Sequence, residues 1–487
     1  MDGSNPLSIH ARLDRLPSCR PLWSWIARIS FGAFFEIYET ALTTLLPPLL
    51  VSAGIFRKDS AGLFGLPDLA TFSFATFLGL FVGALLFSAL TDRFGRRPIF
   101  TFSLLWYAMA TLVMAFQTGP IAICLWRMIA TVGVGAEIVA IDSYISDVMP
   151  KALRGKGFAI SKSIQYAAVP VAAILAAILS KRVIGGIAGW HWMLVVPTIG
   201  AIFIWWVRRG LPESPRWLAD HGRLYEASRI LDAVEAAVRE QTGSDLPPIT
   251  VASGSTLEVT DRRDVGADYE PISVFRGELL HRTLMLIIVS CAATISFFGF
   301  SVWLPSLLVA RGVGVTKSLV YTAIIGLSYP IAPFAFSLFA DRVERKWQIA
   351  AGSGVVVIAG LLFAAQTTVA GWLIFGLLVT VGGHLTSTAT HTYRSELYPT
   401  SLRARGIGVV YSIDRLAAAF NSYLIGFILV GGGPTAVLVF IAVMSSVVVL
   451  TVAIAGPRVR GLASEAIRNR VSRGSGVARR DDSASLS

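Results

Sequence analysis

The sequence is poor in charged residues, and this excludes most soluble folds. Only 15% of its 487 residues are charged, whereas 54% are hydrophobic and the mean hydropathy is +0.66. A soluble chain of this length would need many more polar side chains to cover its surface. The sequence therefore predicts an integral membrane protein.

Cysteine is also scarce, which argues against a disulfide framework and a cysteine-based metal cluster. Cys124 and Cys291 fall within apolar runs, and Cys19 lies in the polar stretch before the first of them. We recognise no metal-ligand spacing, no activated nucleophile and no phosphate-binding loop in the sequence. We therefore expect no enzyme activity, no metal and no cofactor.

Basic residues outnumber acidic ones, 42 to 30, for a net charge of +12. In a soluble chain such an excess suggests nucleic acid, but here nearly all the basic residues fall on one side of the apolar runs, as in cytoplasmic membrane loops. We expect no nucleic-acid partner, a location in the cytoplasmic membrane and both termini in the cytoplasm. Met1 to Arg20 lacks a signal-peptide pattern, so the first apolar run should remain as an anchor.

Twelve apolar runs are each long enough to cross a bilayer, which takes about 20 residues. They lie near 26–50, 70–91, 98–116, 120–143, 158–180, 190–207, 284–308, 318–340, 348–368, 371–392, 406–430 and 434–455. The predicted division is a cytoplasmic tail at 1–25, a bundle at 26–207, a cytoplasmic linker at 208–282, a second bundle at 283–456 and a disordered cytoplasmic tail at 457–487. Within the linker, the apolar spacing from Leu224 to Val238 predicts a short helix, and 254–269 should be loose.

Two motifs recur at the same spacing of 249 residues. The stretch Tyr144 to Gly157 shares Tyr, Ser, an acid, Pro, Leu, Arg and Gly in register with Tyr393 to Gly406, and Asp92 to Arg97 matches Asp341 to Lys346. Two motifs at one offset indicate a duplicated half-molecule. The predicted fold is therefore all-α, with twelve transmembrane helices in two pseudo-symmetric bundles of six.

These motifs resemble those of the major facilitator superfamily of secondary transporters. Asp92 to Arg97 is similar to its D-R-x-G-R-R loop after helix 2, Arg127 with Gly133 and Gly135 to its helix 4 motif, and Pro212 to Leu218 to the P-E-S-P-R-W-L signature after helix 6. The resemblance implies the major facilitator fold and alternating access to a site near the bilayer midplane. It also implies a small-molecule substrate within the lipid bilayer, and we expect a monomer.

The substrate motifs resemble those of metabolite:proton symporters more than those of sugar porters. Cys291 to Phe300 lacks the helix 7 glutamines and asparagine of sugar porters, and Lys162 replaces their helix 5 glutamine. Glu36 to Glu39 resembles the D-G-x-D pattern of symporters for aromatic and other organic acids. The resemblance implies proton-coupled symport of a small carboxylate. A sugar:proton symporter, a proton-coupled drug or cation exporter and a non-transporting sensor remain as alternatives.

Acidic residues within apolar runs are candidate proton carriers, because an ionised group inside a bilayer is costly unless it is paired or faces water. Glu36 and Glu39 lie three residues apart, on one face of the first helix, so both should not ionise easily. The resemblance points to Glu39 as the group that works with Arg127. A fixed structural ion pair is the alternative. Glu137 in helix 4 completes the predicted proton-coupling set.

The candidate substrate residues combine cations with aromatic and polar groups. Arg415 offers a planar fork of donors that suits a carboxylate, although it could instead pair with an acid of helix 4 or helix 10. His384 and His391 share a helical face and could relay protons or simply pack. The predicted substrate-binding residues are Lys162, Gln165, Trp303, His384, Asp414 and Arg415.

Charged residues next to the repeated motifs predict latches at the inner face, which would hold the two halves in one conformation. They lie where the motifs leave the apolar runs, too far from the midplane for a substrate. The predicted gating residues are Asp92, Arg93, Arg96, Arg97, Asp147, Arg154, Asp341, Arg342, Arg345, Glu396 and Arg403.

Overall fold

A computed structural model of the chain describes most of the predicted bundles. The described residues are 6–57, 67–150, 153–208, 210–243, 245–247, 275, 277–337, 343–398 and 403–458. The loose linker segment at 254–269 and nearly all of the C-terminal tail lie outside them. So do Asp341, Arg342 and the side chains of Asp92 and Arg403.

The N-terminal half contains ten helices and a two-stranded hairpin. Pro120 in the first turn of α5 suits a helix start, because the first turn needs no donor from its backbone nitrogen. The elements are α1 (Pro6–Asp14), α2 (Arg20–Ser52), α3 (Asp68–Phe94), α4 (Arg96–Ala115), α5 (Pro120–Val148), α6 (Arg154–Tyr166), α7 (Ala168–Leu179), antiparallel β1 (Val183–Ile184) and β2 (Ile187–Ala188), α8 (Gly189–Arg208), α9 (Pro215–Asp220) and α10 (Leu224–Thr242).

The C-terminal half is built from longer helical stretches. Gly433 has φ 71 and ψ −175 and breaks the last of them into two helices, a conformation that glycine adopts without strain. The elements are α11 (Gly277–Ser301), α12 (Leu304–Ala310), α13 (Val315–Gly326), α14 (Ser328–Ser337), α15 (Arg345–Ala365), α16 (Val369–Leu397) and α17 (Arg403–Ala455).

Among the described residues, ten helical stretches are long and apolar enough to cross a bilayer. The pairs α6–α7 and α13–α14 each form one of these stretches, and α17 contains two spans. To these we add α2, which is 33 residues long and carries Glu36 and Glu39 in its apolar run. The predicted fold of twelve transmembrane helices is confirmed.

The two bundles meet through α3 against α17 and through α6 and α7 against α13 and α14. The ring centroids of Phe74 and Tyr423 are 4.6 Å apart, and the hydroxyl oxygens of Ser180 and Thr316 are 2.8 Å apart. Both contacts lie at the end of the bundles away from α9 and α10. The described contacts at this end hold the halves together on the side opposite the linker.

The segment predicted as an N-terminal tail is partly helical and packed. Ile9 and Leu13 of α1 are buried in one apolar cluster with Leu231 and Val234 of α10. The predicted linker helix is present as α10. The sequence prediction missed α1 because nine residues of mixed polarity give a weak periodic signal.

Candidate functional site

A fully buried ion pair joins α2 to α5. Arg127 Nη1 lies 2.9 Å from Glu39 Oε2, and neither side chain is exposed. Arg127 Nη2 donates to the Glu39 carbonyl at 2.6 Å and to Thr43 at 3.0 Å, and Nε donates to Thr76 at 3.0 Å. Every guanidinium nitrogen therefore has an acceptor, and the pair predicted by the motif resemblance is present as a contact.

Two further acids of the predicted proton-coupling set are buried nearby in the same bundle. Glu36 is 2% exposed and Glu137 is not exposed at all. Glu36 lies close enough to Lys162 for their charges to interact. The structure therefore places Glu36 one turn from Glu39 on α2 and near Lys162, while its role stays a prediction.

Lys162 of α6 has a carboxylate partner from its own half. Its Nζ is 3.1 Å from Asp142 Oδ1 on α5 and donates to Gln165 Oε1 at 3.3 Å. Gln165 in turn donates to Ser161 at 2.7 Å, and Ser30 of α2 donates to the same hydroxyl at 2.8 Å. The sequence named Lys162 as a cation for the substrate, but part of its charge is already balanced.

In the C-terminal half, Asp414 pairs with an arginine that the sequence analysis did not single out. Arg394 Nη2 on α16 is 2.7 Å from Asp414 Oδ2, and Arg394 Nε donates to Ser290 at 3.0 Å. Arg394 was overlooked because it lies inside the repeated motif, which was assigned to gating. A basic residue one or two turns inside a span is the signal that could have found it.

Arg415 makes mainly aromatic contacts. Its guanidinium carbon lies 4.6 Å from the ring centroid of Tyr411 and 5.7 Å from that of Phe298. The Arg415 Nε atom is 3.7 Å from Asp414 Oδ1, which is beyond hydrogen-bond distance. The alternative in which Arg415 is locked to an acid of helix 4 or helix 10 is not observed among the described residues.

His384 stands inside a ring of aromatic side chains. The centroids of Tyr329, Phe297 and Tyr166 lie 4.5, 5.4 and 5.6 Å from that of His384, which is 3% exposed. Its Nε2 atom has no hydrogen-bond partner among the described residues. The ring therefore offers one polar atom to whatever enters this space.

These C-terminal groups surround a cavity of about 130 Å³ in the C-terminal bundle, on the side that faces Tyr166 of the other half. Its lining includes Tyr166 from the N-terminal bundle and, from the other bundle, Phe297, Phe298, His384, His391, Arg394, Asp414 and Arg415, with hydroxyl groups such as Ser290, Ser296 and Ser387. A cavity with arginines, hydroxyls and aromatic rings suits a small polar molecule with an aromatic or planar body.

Of the predicted substrate-binding residues, Lys162 and Gln165 do not line this cavity, and neither does Trp303. It is 2% exposed and packs with Leu304, Leu307 and Ile425 in an apolar cluster near the far ends of the helices. Burial of its large ring among aliphatic side chains explains the difference, because most tryptophans in spanning helices pack rather than bind.

Four of the predicted gating residues form two equivalent ion pairs, one within each half. Arg96 Nε is 3.0 Å from Asp147 Oδ2, and Arg345 Nε is 3.4 Å from Glu396 Oε1, at positions related by 249 residues. The sequence prediction placed these residues together in inner-face charge networks, and the observed partners of Asp147 and Glu396 come from the loop after the second helix of each half. The duplicated sequence thus produces a duplicated contact.

Glu213, in the signature after α8, contacts the backbone next to the ion pair of Arg96 and Asp147. Glu213 accepts hydrogen bonds from the backbone nitrogens of Arg96 at 3.2 Å and Arg97 at 3.1 Å, the first residues of α4. An acidic side chain at a helix N-terminus is favourable, because the unpaired backbone donors point at it. Gly95 has φ 97, and the turn between α3 and α4 depends on this glycine. Arg93 is exposed beside this turn.

A family model described as sugar (and other) transporter matches residues 29–470. The Bacillus subtilis protein YyaJ, provisionally named a metabolite transport protein, is 30% identical over 88% of this chain and 91% of its own length. The inner membrane metabolite transport protein YdjE of Escherichia coli is 30% identical over 94% of this chain and 98% of its own length.

A more distant relative is the niacin transporter NiaP of Acinetobacter baylyi, 25% identical over 84% of this chain and 88% of its own length. Among solved structures, a partially occluded, inward-open xylose transporter, XylE of E. coli, superposes with a TM-score of 0.71. It covers 91% of this chain and 99% of its own chain at 16% identity. At that identity the likeness concerns the fold alone.

Proposed function

The chain belongs to the sugar (and other) transporter family of the major facilitator superfamily, and on this premise we propose that it carries a small organic carboxylate together with protons. It is a multi-pass membrane transporter and not an enzyme. The proposal assigns proton binding to the N-terminal bundle and recognition of the carboxylate to the cavity of the C-terminal bundle.

The buried pair of Glu39 and Arg127 supports proton coupling. Burying two charges is repaid only by close pairing, and removal of one partner leaves an uncompensated charge in low dielectric. Protonation of Glu39 would therefore release Arg127 and change the balance of contacts between α2 and α5. A proton that alters helix contacts can drive the switch between the two open states.

Arg415 is the observation that carries the substrate class. Its guanidinium lines the cavity, and Asp414 Oδ1 lies 3.7 Å from its Nε, within ion-pair range but beyond hydrogen-bond distance. A bound carboxylate could accept two parallel hydrogen bonds from this fork. The rings of Tyr166, Phe297 and Phe298 could then hold a planar body, and niacin, the substrate in the name of one relative, is an aromatic carboxylate.

Uptake into proteoliposomes tests this function. We expect accumulation of at least one aromatic or aliphatic monocarboxylate when the compartment from which the substrate enters is acidified. Dissipation of the pH gradient should abolish this accumulation. Sugars and lipophilic cations form the comparison arms. Gradient-driven movement of a sugar or a cation, with none of any carboxylate, would contradict the proposal and favour the sugar symporter or the exporter.

The orientation of the chain and its oligomeric state belong to the same proposal. We place the protein in the cytoplasmic membrane. The excess of basic residues on the linker side supports an orientation with both termini in the cytoplasm. Thiol labelling of a cysteine added at each terminus, from either side of the membrane, tests the orientation. Mass analysis of the purified protein in detergent tests the expected monomer.

A further inference from the structure

A second buried pair of a carboxylate and a guanidinium lies in the C-terminal bundle. Arg394 Nη2 is 2.7 Å from Asp414 Oδ2, and the two side chains are 5% and 4% exposed. We propose that Asp414 is a second proton-binding site, which takes up its proton when a substrate carboxylate binds beside it on Arg394 and Arg415. This inference rests on the proposed function and adds a proton to its cycle.

The pair of Arg394 and Asp414 has an unused group on each partner, whereas in the pair of Glu39 and Arg127 only the carboxylate atom Glu39 Oε1 lacks a hydrogen-bond partner among the described residues. Arg394 Nη1 and Asp414 Oδ1 are buried and have no hydrogen-bond partner among the described residues, whereas every nitrogen of Arg127 donates to an oxygen. Buried polar atoms are nearly always bonded in a contact that is purely structural. The unused donor and acceptor both belong to residues that line the cavity.

The groups around Asp414 are mostly cationic or neutral. Arg394 faces it from α16, Cys291 from α11, and Arg415 and Tyr411 from its own helix. His391, one turn before Arg394, lies close enough to Arg394 and Arg415 for their charges to act on it. Lys162 and Asp142 approach from the other bundle, near Tyr411. The Asp414 carboxylate therefore lies beside two arginines and is hydrogen-bonded to Arg394.

A substrate carboxylate that uses the unused donors must lie beside Asp414. Arg415 Nε is 3.7 Å from Asp414 Oδ1, and Arg394 Nη1 belongs to the guanidinium that already holds Oδ2. Two carboxylates in contact within low dielectric do not both ionise easily and tend to share one proton. A proton from the entry side would form a bond with Oδ1, and would leave on the other side once the substrate has dissociated.

The two acid pairs are not copies of one another. The positions 249 residues from Glu39 and Arg127 are Ile288 and Gly376, and those 249 residues from Asp414 and Arg394 are Gln165 and Ile145. Each half therefore has a buried pair of its own, at a site that the other half lacks. Two protons carried with one monocarboxylate would move one net positive charge across the membrane.

Infrared difference spectroscopy of the purified full-length protein, with formate as the probe, tests the site without transport. We expect formate to produce the band of a protonated carboxyl group in the wild type. The band should be lost in Asp414→Asn, be shifted in Asp414→Glu and remain in Asp142→Asn, which removes a carboxylate of the other bundle. Because Asp414→Asn leaves Arg394 unpaired, Asp414→Glu is the variant that tests the site if the first does not fold. No formate-induced band, or a band that survives in Asp414→Asn, would overturn the proposal.

The charge carried in each cycle gives a second test. With the carboxylate that the uptake panel identifies, an inside-negative potential should accelerate uptake by the wild type, and this stimulation should be lost in Asp414→Asn while uptake driven by the pH gradient persists. Equal stimulation in both proteins would refute a second proton at Asp414. Absence of any carboxylate uptake by the wild type would instead refute the proposed function, and the infrared result would still report on Asp414.

Discussion

Single side chains decide how this protein handles charge inside the bilayer. Arg127 has an acceptor for every guanidinium nitrogen, whereas Arg415 lies over aromatic rings with its nearest carboxylate oxygen 3.7 Å away. In the first arrangement every guanidinium donor is already used, and in the proposed cycle protonation of Glu39 would weaken the pair. The second arrangement is open to an anion. Each suggests a substitution with a distinct outcome.

The substitution Glu39→Gln keeps the shape of the side chain and removes its charge. We expect accumulation driven by a pH gradient to be abolished, because no proton can then be traded against Arg127, while exchange at equal pH on both sides persists. Proteoliposome uptake under the two conditions measures both activities. Glu137→Gln serves as the comparison for another buried acid. Undiminished accumulation in Glu39→Gln would remove Glu39 from the coupling role.

The substitution Arg415→Gln should weaken substrate binding. Hydrogen bonds to a charged group contribute about 1.5–3 kcal/mol, so we expect KM to rise about 10- to 100-fold. Arg415→Lys keeps the charge but loses the fork, and should have an intermediate effect. Concentration dependence of uptake measures both variants. A KM that stays the same in Arg415→Gln would show that the carboxylate binds elsewhere.

Among the helices, α1 is joined to the linker helix α10 by ion pairs and a hydrogen bond. Glu235 of α10 accepts from Arg12 at 3.0 Å and from Arg15 at 2.9 Å, and Arg12 also reaches Ser228 at 2.9 Å. Burial opposes the ionisation of Glu235, but the hydrogen bonds from the two arginines outweigh it and lower the pKa of its carboxyl group below 4.5. The contact is a clasp between the N-terminus and the linker.

The sign of this pKa shift predicts how the clasp responds to acid. Because the folded pKa of Glu235 is depressed, its contribution to stability is complete above pH 4.5 and is lost as the pH falls through the folded pKa. Glu235→Gln should mimic that loss at neutral pH and speed tryptic cleavage after Arg12 and Arg15 about tenfold or more. Timed proteolysis in detergent measures the rate.

The matched control for the clasp is Glu226→Gln on the same helix. Glu226 pairs with Arg223 at 2.7 Å, but both side chains are 50% exposed, and such surface pairs contribute little. Cleavage after Arg12 and Arg15 should be unchanged in this variant. If Glu235→Gln and Glu226→Gln were cleaved at the same rate, α1 would be held by its apolar face alone.

At the scale of the whole molecule, the two bundles rock against each other in the proposed cycle. Their described contacts at the end away from the linker include Ser180 against Thr316, whose hydroxyl oxygens are 2.8 Å apart. The inner-face latches, Arg96 with Asp147 and Arg345 with Glu396, lie within single halves. If the protein opens toward the end away from the linker, Ser180 and Thr316 have to separate.

Cross-linking this contact should stop transport. In a chain whose three cysteines are replaced, the double variant Ser180→Cys with Thr316→Cys should lose uptake when treated with a short bifunctional thiol reagent whose spacer can be cleaved. Cleavage of the spacer should restore uptake, and each single variant should be unaffected. Uptake that continues in the cross-linked protein would mean that the bundles need not separate here.

The membrane fold could be predicted from the sequence because it depends on composition and repetition. Apolar runs of about 20 residues set the spans, since backbone groups inside lipid must bond within their own helix. The 249-residue repeat predicted two halves, and the pair of Arg345 and Glu396 repeats that of Arg96 and Asp147 as expected from it. The motif resemblance predicted that Glu39 and Arg127 work together, and the structure shows them in contact.

Partners between distant helices depended on the tertiary structure. The sequence determined that Lys162, Asp142, Arg394 and Asp414 lie within or beside spans, but helix rotation and tilt decide which of them meet. Packing of the helices pairs Lys162 with Asp142 and Arg394 with Asp414. It also places Trp303 in an apolar cluster and Arg415 beside aromatic rings. Hydrophobic length and repetition can be read along the chain, whereas a buried contact between two helices depends on how all the helices pack.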